Sequence, residues 1–338
     1  MEITPKGILK INFLAHLNPF FYNGGGEQYT RAIVNEGRRR GHRIRVISVY
    51  PKSRRILSRL LRFRKPDLWM LFDVFNCPDH KKHFSDSFLK KIVSRENYIL
   101  GQNAYGDICY LNALPCNGNI GDGTNCVEKK EDYFGVRGNN SGWRNGYCPV
   151  NDNKELFTKA VFNIFLSPLH ASVFQKIYPG LKEKTFILKP LVDVDLFRDK
   201  GIKRDIKYAS YGGHSETKGF YNIMEMFPNE EVIFFGSKND KLPRKFGYGK
   251  VIGRIPYDEM PEFLNRVEYY IHMPRWPEPH GLIVNQAALS GCKLITNDNV
   301  GAMTHSYDMM DREAYRKNAE ELWEKIEDTV KQKRCVKP

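Results

Sequence analysis

No stretch of the chain approaches the roughly 18 uninterrupted apolar residues of a membrane-spanning helix. The opening MEITPKGILKINFLAHL has too short an apolar core for a secretory signal. Cysteine is sparse and odd in number: seven, at 77, 109, 116, 126, 148, 292 and 335, with irregular gaps. That pattern excludes a fully paired disulfide framework and fits a reducing compartment. A soluble, cytoplasmic protein is expected, with peripheral membrane attachment only if it acts on a lipid-linked substrate. No internal repeat is visible. Acidic residues are nearly missing from positions 1–65, which hold 3 Asp and Glu against 15 Lys and Arg. So +12 of the formal +14 lies in that segment, and a polyanionic partner is expected on that side.

At 338 residues and 41% hydrophobic content, the chain exceeds one ordinary core and can build two. Short runs of β-formers alternate with helical patterns throughout. ILKINFLAHL (8–17), a Gly24-Gly25-Gly26 loop, an amphipathic stretch through Arg39 and RIRVISVY (43–50) parse as strand, glycine loop, helix, strand. DLWMLFDVFN, ENYILGQN and FNIFLSP read as further strands. A second alternation follows in TFILKPLVDV, KYASYGG, EVIFFGS, GKVIGRI and EYYIHMP, with helices at KGFYNIMEMF and YDEMPEFLNRV. The class is α/β, with two Rossmann-like domains: 1–168, carrying an irregular Gly- and Asn-rich insertion at about 104–153, and 169–338, whose last helix is expected to cross back.

RWPEPHGLIVNQAALSG (275–291) places Trp, two prolines, Glu278 and Gly281 before an apolar helix expected to bury Ile283, Val284, Ala287 and Ala288. Free N–H groups at a helix start attract anions, here along His280, Gly281, Leu282 and Ile283. RWPEPHGLIVNQAALSGCKLIT resembles the nucleotide-sugar signature of retaining GT-B glycosyltransferases of family four (group 1). That signature is a Glu, seven residues, then a second Glu. Here the positions are Glu278 and Gln286. The resemblance implies a GT-B fold with a cleft between its domains, Glu278 on the transferred sugar and Gln286 on the ribose. TFILKPLVDVDLF resembles the family's interdomain strand and turn. YGGHSETKGF (211–220) resembles its phosphate loop, with Lys218 at the Lys position and Gly213 where an Arg is usual. His214, Arg254, Arg275 or the backbone would then supply the missing charge. GRIPYDEMPEFL resembles the segment whose backbone, near Ile255, reads the base.

In the first half, GGGEQYT resembles the glycine loop approaching the donor phosphates. YILGQNAYGDIC resembles a segment that often holds a His-Asp pair; Asn103 stands at the His position, with Tyr105 beside it on the acceptor side. The implied donor is a nucleotide sugar, taken as a UDP-sugar, with no cofactor required.

SRRILSRLLRFRK (53–65), drawn as a helix, gathers Arg55, Arg59 and Arg62 opposite an apolar arc. Such a face fits nucleic-acid phosphates or anionic lipid. GVRGNNSGWRNGY carries Arg137, Trp143 and Arg144 among glycines, a pattern that can stack on an unstacked base. The favoured acceptor is therefore a hydroxymethylated pyrimidine in DNA. Lipid-linked sugar or polysaccharide is one alternative. A catalytically degenerate nucleic-acid-binding scaffold is the other, which Gln286, Gly213 and Asn103 favour. Two metal readings stand beside these: Cys77, His80 and His83 in CPDHKKH, and a structural zinc on Cys109, Cys116, Cys126 and Cys148. Otherwise these are a surface helix start and buried thiols.

Overall fold

The computed structural model describes residues 7–22, 24–50, 66–72, 86–95, 97–109, 153–213, 215–236 and 248–335. Two all-parallel sheets organise them. The first has the order β2-β1-β3-β4-β5-β6, from Lys10–Leu17 (β1), Arg43–Tyr50 (β2), Leu68–Phe72 (β3), Tyr98–Gly101 (β4), Asn163–Phe165 (β5) and Thr185–Ile187 (β6). The second has the order β11-β10-β7-β8-β9, from Ile206–Tyr211 (β7), Val232–Phe235 (β8), Lys250–Val251 (β9), Val267–His272 (β10) and Lys293–Thr296 (β11). Helices in chain order are Gly25–Arg39 (α1), Asp86–Arg95 (α2), Lys154–Lys159 (α3), Pro168–Ile177 (α4), Phe220–Met226 (α5), Met260–Arg266 (α6), Leu282–Leu289 (α7) and Arg312–Cys335 (α8).

A parallel sheet is covered on both faces, so its strands are apolar throughout. In β3 all five residues are buried: Leu68, Met70 and Phe72 enter one core and Trp69 and Leu71 the other. In β1, Ile11, Phe13 and Ala15 alternate with Leu14 in the same way. One expectation is corrected. TFILKPLVDV does not open the second sheet; its TFI is the last strand of the first, paired with β5. Three residues have no period long enough to reveal which sheet they join.

No described helix is long and apolar enough to cross a membrane. The helix α8 follows the second sheet yet serves both cores. Tyr315 packs into the second, whereas Leu322, Trp323 and Ile326 pack into the first. Trp323 Nε1 donates to the Ile33 carbonyl at 2.8 Å, and a Cβ on Gly37 of α1 would lie 2.0 Å from its ring. Arg40 and His42 reach Glu327 of α8 at 3.2 and 3.0 Å.

Candidate functional site

In the second sheet the chain runs outward through β7, β8 and β9, then returns to lay β10 on the other side of β7. The carboxyl ends of two such neighbours form the crevice where open α/β sheets bind ligands. The loop after β7 carries Lys218 and the loop after β10 carries Glu278. Glycine lets them approach: Gly219 has φ +81°, and a Cβ there would sit 1.9 Å from the Met273 carbonyl oxygen. Arg275 N also donates to the Thr217 carbonyl at 3.0 Å.

The two side chains meet. Lys218 Nζ lies 2.5 Å from Glu278 Oε1 and 5.7 Å from the centre of the Trp276 ring. The Glu278 backbone is fixed by bridging to Val300, with its N–H on the Asn299 carbonyl and its own carbonyl accepting from Gly301 N. Glu278 is 8% exposed. Burial by itself would raise its pKa, but the charges and hydrogen bonds of Lys218 and His272 outweigh that and hold the carboxyl well below the usual range. It is ionised at neutral pH.

His272 was not among the residues singled out from sequence. It ends β10, is 1% exposed, and places Nε2 2.5 Å from Glu278 Oε2. Gly281, at φ +83°, brings the start of α7 directly over it; a Cβ there would be 3.3 Å from His272 Nε2. Along α7, Val284, Ala287 and Ala288 are buried as expected, Leu282 and Ile283 only partly so. Gln286 is buried. Gly213 is buried at φ +59° beside the end of β7. Ile255 is half-buried against the second core, while Arg254 and Arg275 are exposed.

On the first sheet, Gly24 precedes α1 and Gly25 and Gly26 begin it. A Cβ on Gly26 would lie 2.8 Å from Asn103 Nδ2, so the glycine loop after β1 and the loop after β4 are in contact. One predicted ligand contact is corrected. Tyr105 is fully buried, packed edge-on against Trp276 and His170, and offers no face to an acceptor. The His280 side chain is buried too, its ring nitrogens 3.1 Å from the Leu166 carbonyl and 2.7 Å from Asn285 Oδ1. Cys109 is a buried thiol. His214, Arg55, Arg59, Arg62, Arg137, Trp143, Arg144, Cys77, His80, His83, Cys116, Cys126 and Cys148 lie outside the described residues.

The halves are joined near Leu166. Ser167 Oγ donates to the Pro279 carbonyl at 2.6 Å, and His305 Nε2 lies 3.0 Å from the Leu166 carbonyl oxygen. Burial pushes His170 and His280 down to about 3. Both are neutral in the fold, whereas the unfolded chain protonates them below about 6.5. The unfolded state therefore binds more protons between those values, and stability falls as pH drops from 6.5 toward 3. At pH 5 each contributes about 2 kcal/mol of destabilisation relative to pH 7. Thermal melts should show Tm lower by about 5–10 °C at pH 5; equal Tm at both would show that these imidazoles titrate normally.

No family model and no curated protein matches the sequence. Solved structures do. HepE of Anabaena in complex with UDP and glucose aligns over 95% of this chain and 92% of its own, at 14% identity and TM-score 0.54. Sucrose-phosphate synthase from Thermosynechococcus elongatus aligns over 87% and 82%, at 11% identity and TM-score 0.58. A glycosyltransferase from Rickettsia africae aligns over 96% and 94%, at 9% identity and TM-score 0.56. The chain has the GT-B fold. In GT-B terms, Lys218, His272 and Glu278 stand at the crevice of the second Rossmann-like sheet, and Gly26 and Asn103 at the corresponding edge of the first.

Proposed function

We propose that this protein is a nucleotide-sugar-dependent glycosyltransferase of the retaining, family-four type. The observation that carries the proposal is the Lys218–Glu278 pair, joined from two loops at the switch point of the second sheet. A cation and a carboxylate there match the two halves of a sugar nucleotide: Lys218 faces the diphosphate and Glu278 accepts from sugar hydroxyls. The N–H groups opening α7 and the Gly24–Gly26 loop add positive potential around the phosphates. Gln286 serves the ribose and the Ile255 backbone the base, with Arg254 and Arg275 near the phosphates. UDP is the favoured nucleotide, since HepE, of the same fold, is known in complex with UDP and with UDP-glucose. In the transfer, the bond from the anomeric carbon to the diphosphate oxygen breaks. A bond to the acceptor oxygen forms on the same face, and the acceptor proton passes to the departing diphosphate. Asn103 sits on the acceptor side as a hydrogen-bonding group.

For the acceptor, a hydroxymethylated pyrimidine in DNA is favoured. Besides the basic first 65 residues, support comes from the turn after β1, which exposes Phe20 by 40%, Phe21 by 73% and Tyr22 by 37%. Arg31 ties the two ends of this turn together by donating to the Pro19 and Tyr22 carbonyls at 2.7 and 2.8 Å, and Arg38 lies over the Phe20 ring. Fixed aromatic faces beside arginines suit an unstacked base. They also suit a lipid interface, which is the second reading.

The test is nucleoside-diphosphate release from a panel of sugar nucleotides, with and without DNA containing hydroxymethylated pyrimidines. Release stimulated by that DNA, with sugar recovered on the base, is expected, and Phe21→Ala should lower the stimulation about tenfold. Release indifferent to DNA would move the acceptor to lipid or glycan. No release with any donor would leave a catalytically degenerate scaffold.

A further inference from the structure

As the site stands, both oxygens of Glu278 are engaged: Lys218 on Oε1 and His272 on Oε2, each at 2.5 Å. The two partners differ in freedom. Lys218 ends a single turn of 3-10 helix, and its flexible four-carbon side chain is 22% exposed. His272 is the last residue of a central strand, paired in the parallel ladder with Thr296. Its ring stacks on Tyr270 at 5.9 Å with 17° between planes, and its Nδ1 is 3.3 Å from the Tyr270 hydroxyl. The start of α7 caps it through Gly281.

When Lys218 swings over to the diphosphate, rather than bridging it and Glu278 with its three N–H donors, the carboxylate is released. Without a second partner, a buried Glu278 would then either take up a proton or turn toward another group. We propose that His272 is a positioning residue: it holds Oε2 when Lys218 transfers to the diphosphate, so that Oε1 alone is freed, in a fixed direction, for the hydroxyls of the sugar. The Lys218–Glu278 contact is then an exchangeable lock that the donor's phosphates open, and the His272–Glu278 contact is the permanent one. This rests on the donor site proposed above. Sugar recognition is coupled to phosphate binding in this arrangement, because the accepting oxygen is exposed only after the lysine has left.

The test compares binding of two probes by calorimetry: the sugar nucleotide giving the fastest release in the panel, and its nucleoside diphosphate alone. His272→Leu should weaken the sugar nucleotide by about 10- to 100-fold, the scale of losing a hydrogen bond to a charged group, and leave the diphosphate unchanged. His272→Gln, whose amide nitrogen can take the place of Nε2, should stay within about threefold of wild type. His272→Asn, too short to reach Oε2, should behave like Leu and serves if the Leu variant does not fold. Equal loss for both probes in the Leu and Asn variants would mean a merely structural histidine and overturn the proposal. Unchanged sugar discrimination in His272→Leu, with discrimination lost in Glu278→Ala, would also overturn it while leaving the donor site standing. Discrimination unchanged in Glu278→Ala would remove the site assignment itself, and the proposal with it.

Discussion

Glu278→Ala is expected to lower sugar transfer by about 10³-fold, and Lys218→Ala by about 10²- to 10³-fold, the usual cost of deleting one group aimed at developing charge in a preorganised site. The two variants should differ in stability, and that difference tests the geometry independently of activity. Removing Glu278 leaves an ammonium on a partly exposed side chain, which can turn to water. Removing Lys218 leaves a carboxylate that is 8% exposed with the His272 ring nitrogen as its remaining side-chain contact. Breaking a buried pair so as to strand the buried charge costs about 3–5 kcal/mol, and this case approaches that limit. Lys218→Ala should therefore melt several degrees below Glu278→Ala. Initial rates on the panel donor and thermal unfolding of both proteins decide the matter. Near-normal turnover in either variant would end the site assignment, and equal melting temperatures would show that Glu278 is better solvated than its burial implies.

Trp323→Ala should cost about 4 kcal/mol of stability, within the range for emptying a buried aromatic site. The indole is fully buried between α8 and α1, donates to the Ile33 carbonyl, and lies 5.0 Å from the His42 ring. Because α8 also anchors Tyr315 in the second core, it couples the unfolding of both sheets. Urea denaturation of the wild type should give one transition followed by tryptophan fluorescence and by circular dichroism alike, and Trp323→Ala should give two. A loss under about 1 kcal/mol, small for any buried aromatic, would mean that α8 docks without holding the halves together.

Much of this fold is written locally. Runs such as KINFLAHL, RIRVISVY and LWMLF are apolar enough, and β-branched or aromatic enough, to be strands wherever they fall. The glycines at the start of α1 and the Pro-Glu-Pro-His-Gly segment before α7 mark loop-to-helix junctions in the same way. What could not be read locally depends on partners far along the chain. The histidine ending VEYYIH looks like the polar end of a strand, and only the folded loop six residues later reveals that it faces Glu278. Tyr105 and His280 fall within motif-like segments, yet burial assigns them to packing between the halves. Gly219 and Gly301 resemble ordinary turn residues. The absence of Cβ matters because Met273, Pro279 and Ser167 press against them, and no spacing rule encodes those neighbours.

The docking of α8 also sets a timetable. Trp323 is separated from its partner Ile33 by 290 positions, so at roughly 5–20 residues per second the ribosome needs about 15–60 s to supply it after α1 has emerged. From the synthesis of β6 until then the first sheet has its strands but not the helix that packs against Ile33 and Val34, and that apolar face stays uncovered. The strands of the first sheet are made before those of the second, yet its folding is completed only when α8 has left the exit tunnel.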